Sequence, residues 1–446
     1  MLKVTLDEAR WEKIIGEWKE KGIKWVRFEL PDMGGQSRCK IIPIDNAKGF
    51  AQKGLNMYGG TAVLDSASSV VPGTLYNEEV NYADQRLIPD LDTAYVVPWA
   101  DRTASFICDT YWENGQPLEA APRNVCKRVL AELDRMGYKA KIGLEWEFYI
   151  LDAEGKPFFG GVHIFNAIRN TYLPEVQDML EMLPQVGIDI ITFNCEYAPS
   201  QFEINYKPAE NLRAADLGFI CKNGIKAISH RHGHIATFMT KPFSDTAASG
   251  AHIHISLYDK NTGKNVFLDP NDPDGISELC RYFVRGQLDH AAATMALMAP
   301  TENCYKRYVP HHFAPSNVSW GFEDRSALVR VKNFFDERTH IENRLPSGLA
   351  NPYLIVAAAV AAGILGIKAK KLPDPPVEGP AEDCPYLPKL PRSILESVAA
   401  LEADREMREL LGEEFVTAYK RIKEFEIARF RSYVTDWERN EYLELY

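Results

Sequence analysis

Gly143-Leu144-Glu145-Trp146-Glu147-Phe148 alternates carboxylates with large apolar side chains. On a strand, successive side chains point to opposite faces, so Glu145 and Glu147 share one face. Leu144, Trp146 and Phe148 share the other and face a core. Two adjacent carboxylates repel, and burying both without a cation is costly. The stretch reads either as a solvated strand face or as one wall of a cation site. It predicts a strand over Lys139–Leu151.

Working outward, three further segments offer ligands of matching chemistry. Glu196 and Glu203 flank the turn Pro199-Ser200 between apolar runs, so both can point back into one sheet cavity. In Gly250-Ala251-His252-Ile253-His254-Ile255-Ser256, alternation puts His252, His254 and Ser256 on one face. H-x-H on a strand is a metal-ligand spacing, although structural histidines are also common. In His340-Ile341-Glu342-Asn343-Arg344, Glu342 and Arg344 share a face. The donors are mostly oxygen, which suits Mg²⁺ or Mn²⁺ better than zinc or copper. Lys306, Arg307, Arg325, Arg330 and Arg344 form a cationic complement. Guanidiniums beside a divalent metal suit a substrate carrying carboxylates and phosphates, though any one of them alone reads as a surface pair. There is no G-x-x-x-x-G-K-[ST], G-x-G-x-x-G or G-x-S-x-G, so a bound nucleotide is not held by a P-loop.

The surroundings predict an α+β architecture. Leu6–Lys21 has helical spacing, and Lys24–Leu30 and Arg38–Ile44 read as strands around Asp32-Met33-Gly34-Gly35. Gly54–Tyr82 reads as one long loop, and Thr93–Val97 as a strand. Pro122 opens a helix over Arg123–Met136. Further strands are expected at Gly187–Asn194, Gln201–Tyr206, Ala251–Leu257 and Ala327–Val331. Helices are expected at Pro174–Leu183, Asn211–His232, Gly275–Met298, Asn351–Lys368 and Glu413–Tyr433. The order is not a regular βαβ repeat. The chain divides into units at residues 1–103 and 104–446.

The 446 residues carry a formal net charge of −11, which opposes general nucleic-acid binding. No apolar h-region opens the chain, and the apolar run Leu354–Ile367 is short for a membrane span and reads as a buried helix. The eight cysteines form no C-x-x-C pair. These features predict a cytoplasmic protein with reduced thiols, bound neither to membrane nor to nucleic acid.

The strings GLEWEF, ATFMTKP, GAHIHIS, NCYKR, DRSALVR, IENR and ANPYL occur in this order. With them the chain resembles the glutamine synthetase family, type I-like, over nearly its whole length. The resemblance implies an N-terminal β-grasp domain and a catalytic domain with an antiparallel half-barrel. It implies a ring oligomer, expected to be a dodecamer, with active sites between subunits. By motif position, Glu147, Glu196 and Glu203 look like ligands of one Mg²⁺ or Mn²⁺. Glu145, His252 and Glu342 look like ligands of a second, facing the ATP phosphates. Arg307 and Arg344 match the residues that hold L-glutamate. Arg325 and Arg330 match the phosphate arginines, with Arg325 also near glutamate and the reacting atoms. His254 and Ser256 match positions near the nucleotide. Asp32 matches the acid that reaches a neighbour's site and helps deprotonate the amine.

Three departures bear on the acceptor and on ATP. Phe313 stands where ammonia-using members carry a glutamate before Ala-Pro. Ala247 and Ala248 replace Asn-Gly in the glutamate loop, and His340 replaces an arginine of the phosphate site. Ammonium needs carboxylates, whereas an apolar aromatic suits an amine with a hydrophobic substituent. The pattern is similar to the γ-glutamyl-amine ligases: glutamate and ATP would give γ-glutamyl phosphate, and an alkylamine or arylamine would then give the amide. Val63 and Leu64 are candidates to line the amine pocket. Ammonia-using glutamine synthetase and a polyamine glutamylating enzyme are the alternatives. A non-catalytic structural member, like the lens proteins of the family, is a more remote one, because all six ligand positions keep metal-binding side chains.

Overall fold

The computed structural model describes residues 6–162 and 164–446. Among the described residues, fifteen strands form two sheets. In chain order they are β1 (Trp25–Pro31), β2 (Ser37–Pro43), β3 (Leu55–Tyr58), β4 (Asp84–Pro89), β5 (Tyr95–Val96) and β6 (Thr103–Trp112). Then come β7 (Tyr138–Leu151), β8 (Ile190–Cys195), β9 (Gln201–Tyr206), β10 (Ala209–Glu210), β11 (Ile235–Thr237) and β12 (Ile253–Asp259). The last are β13 (Trp320–Phe322), β14 (Val329–Lys332) and β15 (His340–Asn343).

The first sheet runs β2-β1-β6-β4-β3, with β5 on β6. Its central neighbours β1 and β6 are parallel, with Phe28 opposite Phe106. The helix Glu8–Glu20 lies on it, burying Trp11 and Trp18 against Phe106 at centroid distances of 5.4 and 4.8 Å. A parallel pair flanked by antiparallel strands under one helix is the β-grasp arrangement expected. The strand β6 carries this sheet past the boundary expected between residues 103 and 104. The segment Gly54–Tyr82 is not one loop. It holds β3, which pairs with β4 only after a long excursion, so no local pattern announces it.

The second sheet runs β13-β14-β15-β12-β7-β9-β8, with β10 and β11 also on β7. All its pairs are antiparallel except β13 with β14. It curls into the half-barrel. Leu144, Trp146 and Phe148 are buried on its convex side, over the helix Leu212–Arg231. The apolar helix Pro352–Ala369 is long enough to span a bilayer, yet it is 83% buried among the catalytic-unit helices. The expected helix Gly275–Met298 is two, Glu278–Asp289 and Ala291–Met298. They join at His290, whose Nδ1 pairs with Asp404 at 2.6 Å. The first half is amphipathic and the second apolar all round, so apolar residues continue on both sides of the break.

Candidate active site

The strand register explains why distant carboxylates meet. Glu147 on β7 lies opposite Glu203 on β9, and Glu145 lies opposite Asn205. On the other side of β7, the backbone N–H of Glu145 donates to His252 O and that of Glu147 to Gly250 O. The β12 strand starts at Ile253, so His252 sits just before it, still in the ladder's path. Its Nδ1 is 2.6 Å from Glu145 and 3.7 Å from Glu342. Donor atoms of Glu145, His252 and Glu342 lie within 4.8 Å of one another, as do those of Glu145, Glu147 and Glu203. These two groups could hold divalent ions. Glu196 lines the same cavity but stands outside the second tight group. Instead its carboxylate accepts from the Asn194 amide and the Tyr197 N–H, at 3.2 and 3.3 Å. Gly250 is required where it is. Its N–H donates to Glu147 at 2.8 Å, and a Cβ there would come within 2.8 Å of Arg307 and 3.0 Å of His252.

The electrostatics divide this acidic floor. Burial pushes the Glu145 carboxyl up, but the charge and hydrogen bonds of His252 and His254 outweigh it and hold it well below the usual range. Burial opposes Glu342 too, and Arg344 with His254 and His252 pulls it down. No such cation faces Glu203. Burial, then Glu145, Glu147 and Glu196, drive its carboxyl far up. Glu196 is raised to about 7 by burial and by Glu147. A carboxylate cluster in that condition lacks positive charge, which fits a divalent cation.

The structure brings Arg307, Arg325, Arg330 and Arg344 to the same cavity. Arg330 on β14 is opposite Glu342 on β15 and donates to it at 3.2 Å. Its Nε is buried without an acceptor, a donor left over for an anion. Arg344 also pairs with Glu342, and its Nε donates to Arg325 O at 2.9 Å. Arg307 is buried and donates to the carbonyls of Arg344 and Leu345 at 3.1 and 3.2 Å. Arg325 is exposed and lines the cavity. His254 meets His340 at 3.0 Å and, with Ser256, opens onto a second cavity of about 590 Å³ lined by Phe334, Arg338 and Tyr206. His340 is depressed to about 4 by burial and by His254, so it does not supply the charge of the arginine it replaces. Beneath the floor, Lys222 donates to the carbonyls of Gly348, Leu349 and Ala350 and lies 4.7 Å over the Trp146 ring.

The main cavity measures about 450 Å³, and apolar side chains line part of it, together with His312. Phe313 lies there, with Ala247 and Ala248. Sequence reasoning missed Ile164, Phe165 and Tyr197, which complete this mouth. Tyr197 directly follows a candidate ligand, a signal that could have found it. Phe165 comes from a loop with no such mark. Two expected residues are elsewhere. Val63 is fully buried in the hydrophobic core, so its side chain cannot line a pocket, and half-buried Leu64 does not reach this cavity. Asp32 also lies outside it. Its carboxylate accepts from the N–H groups of Gly34 and Gln36, both at 2.9 Å, and from Arg38 at 2.7 Å.

The family model for the glutamine synthetase catalytic domain matches residues 119–442. The chain belongs to the glutamine synthetase family. Like its members it is an ATP-dependent ligase, and the family acts on glutamate with an amine or ammonia and uses divalent metals. A glutamate–isopropylamine ligase of a Pseudomonas species is 34% identical over 96% of this chain and 96% of its own length. A glutamine synthetase of Thermotoga maritima is equally similar, 34% over 96% and 98%. A γ-glutamylanilide synthase of an Acinetobacter species is 31% identical over 97% and 95%. The solved structure of a GmaS–ADP complex superposes with a TM-score of 0.85, at 28% identity over 97% of this chain and 99% of that one.

Proposed function

We propose that this ligase joins the γ-carboxyl of L-glutamate to a monoamine bearing an alkyl or aryl group, at the expense of ATP. The observation that carries this reading is the mouth of the cavity, where Phe313 occupies the place of a carboxylate among Ile164, Phe165, Tyr197, Ala247 and Ala248. None of these offers ammonium a carboxylate, and together they favour an apolar substituent. The isopropylamine and anilide ligases among its relatives support the same reading.

In this reading Glu145, His252 and Glu342 hold one divalent ion, and Glu147 and Glu203 with Glu196 hold the other. Bound metal supplies charge neutralisation between ATP and the incoming carboxylate. Arg307, Arg344 and Arg325 hold glutamate, and Arg325 and Arg330 face the phosphates. Arg330 is fixed by Glu342, while exposed Arg325 is free to follow the transferred group. His254 and Ser256 face the nucleotide. The γ-carboxylate oxygen attacks the terminal phosphorus of ATP and ADP leaves. The amine nitrogen then attacks the acyl carbon, phosphate leaves, and a proton is lost from nitrogen. A ring oligomer, expected to be a dodecamer, belongs to this reading, but Asp32 is not assigned that proton, because its carboxylate is buried and held by Gly34, Gln36 and Arg38.

The deciding experiment measures ADP release with glutamate and ATP across ammonia, methylamine, isopropylamine, aniline and putrescine. The monoamines with apolar groups are expected to exceed ammonia in kcat/KM. Equal or better turnover with ammonia defeats the reading in favour of an ordinary glutamine synthetase. Preference for putrescine defeats it in favour of a polyamine enzyme.

A further inference from the structure

The cavity mouth is more than apolar: its exposed walls are flat rings. The Tyr197 and Phe313 rings stack with centroids 5.2 Å apart and planes 28° from parallel. They remain 39% and 56% exposed, and Phe165 at the same mouth is 65% exposed. Exposing three large aromatic side chains around one opening leaves apolar surface that a ligand can cover.

The rings are also held in place. Phe165 and Phe313 both sit at positive φ, +56° and +55°, which costs energy for a residue with a Cβ. Each is secured by a backbone bond. The Phe165 N–H donates to Cys195 O at 3.1 Å, next to Glu196. The Phe313 carbonyl accepts from Arg344 at 3.2 Å, the arginine that pairs with Glu342. Tyr197 follows Glu196, whose carboxylate its own N–H caps. The three rings are therefore tied to the acidic floor, and Ala247 and Ala248 beside them are small enough to leave room for a further ring.

We propose that Tyr197, with Phe313 and Phe165, is a specificity-determining platform that selects acceptor amines carrying an aromatic ring over saturated amines of equal size. This rests on the amine-ligase reading above and narrows it. The ring of the acceptor packs on the Tyr197–Phe313 stack while its nitrogen points inward to the acyl carbon. Aromatic packing discriminates by shape and quadrupole as well as by area, so a saturated ring of the same bulk gains less.

The test compares benzylamine with cyclohexylmethylamine, which match in bulk and differ in planarity, with kcat/KM referred to the free-amine concentration because benzylamine is the weaker base. Product γ-glutamylamide is measured by mass spectrometry with the full chain, glutamate, ATP and Mg²⁺. Wild type is expected to favour benzylamine in kcat/KM by roughly three- to tenfold, the range of one aromatic contact. Tyr197→Leu keeps apolar bulk and is expected to bring the ratio close to one, mainly through KM for benzylamine, whereas Tyr197→Phe preserves it. A wild-type ratio near one, or a ratio unmoved by Tyr197→Leu and by Phe165→Leu, overturns the platform while leaving the amine ligase standing. Absence of any γ-glutamylamide, with glutamine formed from ammonia, overturns the ligase reading itself.

Discussion

The floor and the mouth of the cavity are built in opposite ways. The floor carboxylates stand on β7, β9 and β15, apart from Glu196 just past β8, and strand register sets Glu147 against Glu203 and Arg330 against Glu342. The mouth stands on loops, with two phenylalanines in the left-handed region and rings largely exposed. Sheet hydrogen bonds fix positions to a fraction of an ångström, as chemistry on a phosphoryl group requires. Loops tolerate replacement without disturbing the sheet, so acceptor choice can vary above a constant reaction. The floor also concentrates like charge that only a cation relieves, while Phe165, Tyr197 and Phe313 bring no carboxylate to the mouth. Changes at the two ends should therefore differ in kind.

The largest effect is expected at the floor. Glu147→Ala and Glu203→Ala should each lower kcat/KM by about a thousandfold or more with every acceptor, since both remove charge and ligand oxygen at the site of phosphoryl transfer. Steady-state ADP release measures it. Retention of full activity in either variant would remove these residues from the metal site. A loss confined to one acceptor would erase the distinction between the two ends.

How far the sequence could foresee each end follows from the same contrast. Period-two alternation is local, so GLEWEF and GAHIHIS announce their faces, and the structure puts Glu145, Glu147, His252 and Glu342 together. The strand β3 was hidden because its partner β4 lies beyond a long excursion. The break at His290 was hidden because apolar residues continue across it, and the Asp404 that pairs with His290 lies far away in the sequence. Phe165 joins Tyr197 and Phe313 only through tertiary folding, from three loops with no shared pattern. Phe313 alone was legible, as a departure from the family string. Asp32 shows the converse: its motif is clear, yet its carboxylate is occupied by its own turn and Arg38.

Phe313→Glu sharpens the contrast from the other side. It places an anion at the mouth without touching the floor, so it should shift acceptor preference toward ammonia by roughly ten- to a hundredfold, in the range expected for one positioned acid–base group. The ratio of kcat/KM for ammonia to that for isopropylamine reads it, and an unchanged ratio would take Phe313 out of acceptor selection. A smaller effect follows from metal binding alone. Mn²⁺ at a hundredfold excess over its Kd should add about 2.7 kcal/mol to stability and raise Tm by a few degrees. Phe313→Glu should keep that rise and Glu203→Ala should lose most of it, as differential scanning fluorimetry with and without chelator would show.

The smallest expected effect on acceptor choice is that of Val63, and it is informative because it is expected to be none. Its sequence neighbourhood, a Gly- and Ser-rich stretch, suggested a pocket wall. In the folded chain its side chain is fully covered by the core. A buried valine contributes packing, so Val63→Ala should cost about 2 kcal/mol of stability through lost burial and the cavity left behind. Since no substrate atom can touch a covered side chain, the ratio of turnover between isopropylamine and ammonia should stay within twofold, about 0.4 kcal/mol. A shift beyond that would mean that the segment opens during turnover and that the mouth extends onto the N-terminal sheet. A melting temperature lowered with an unmoved ratio would instead confine acceptor choice to the loops that carry Phe165, Tyr197 and Phe313.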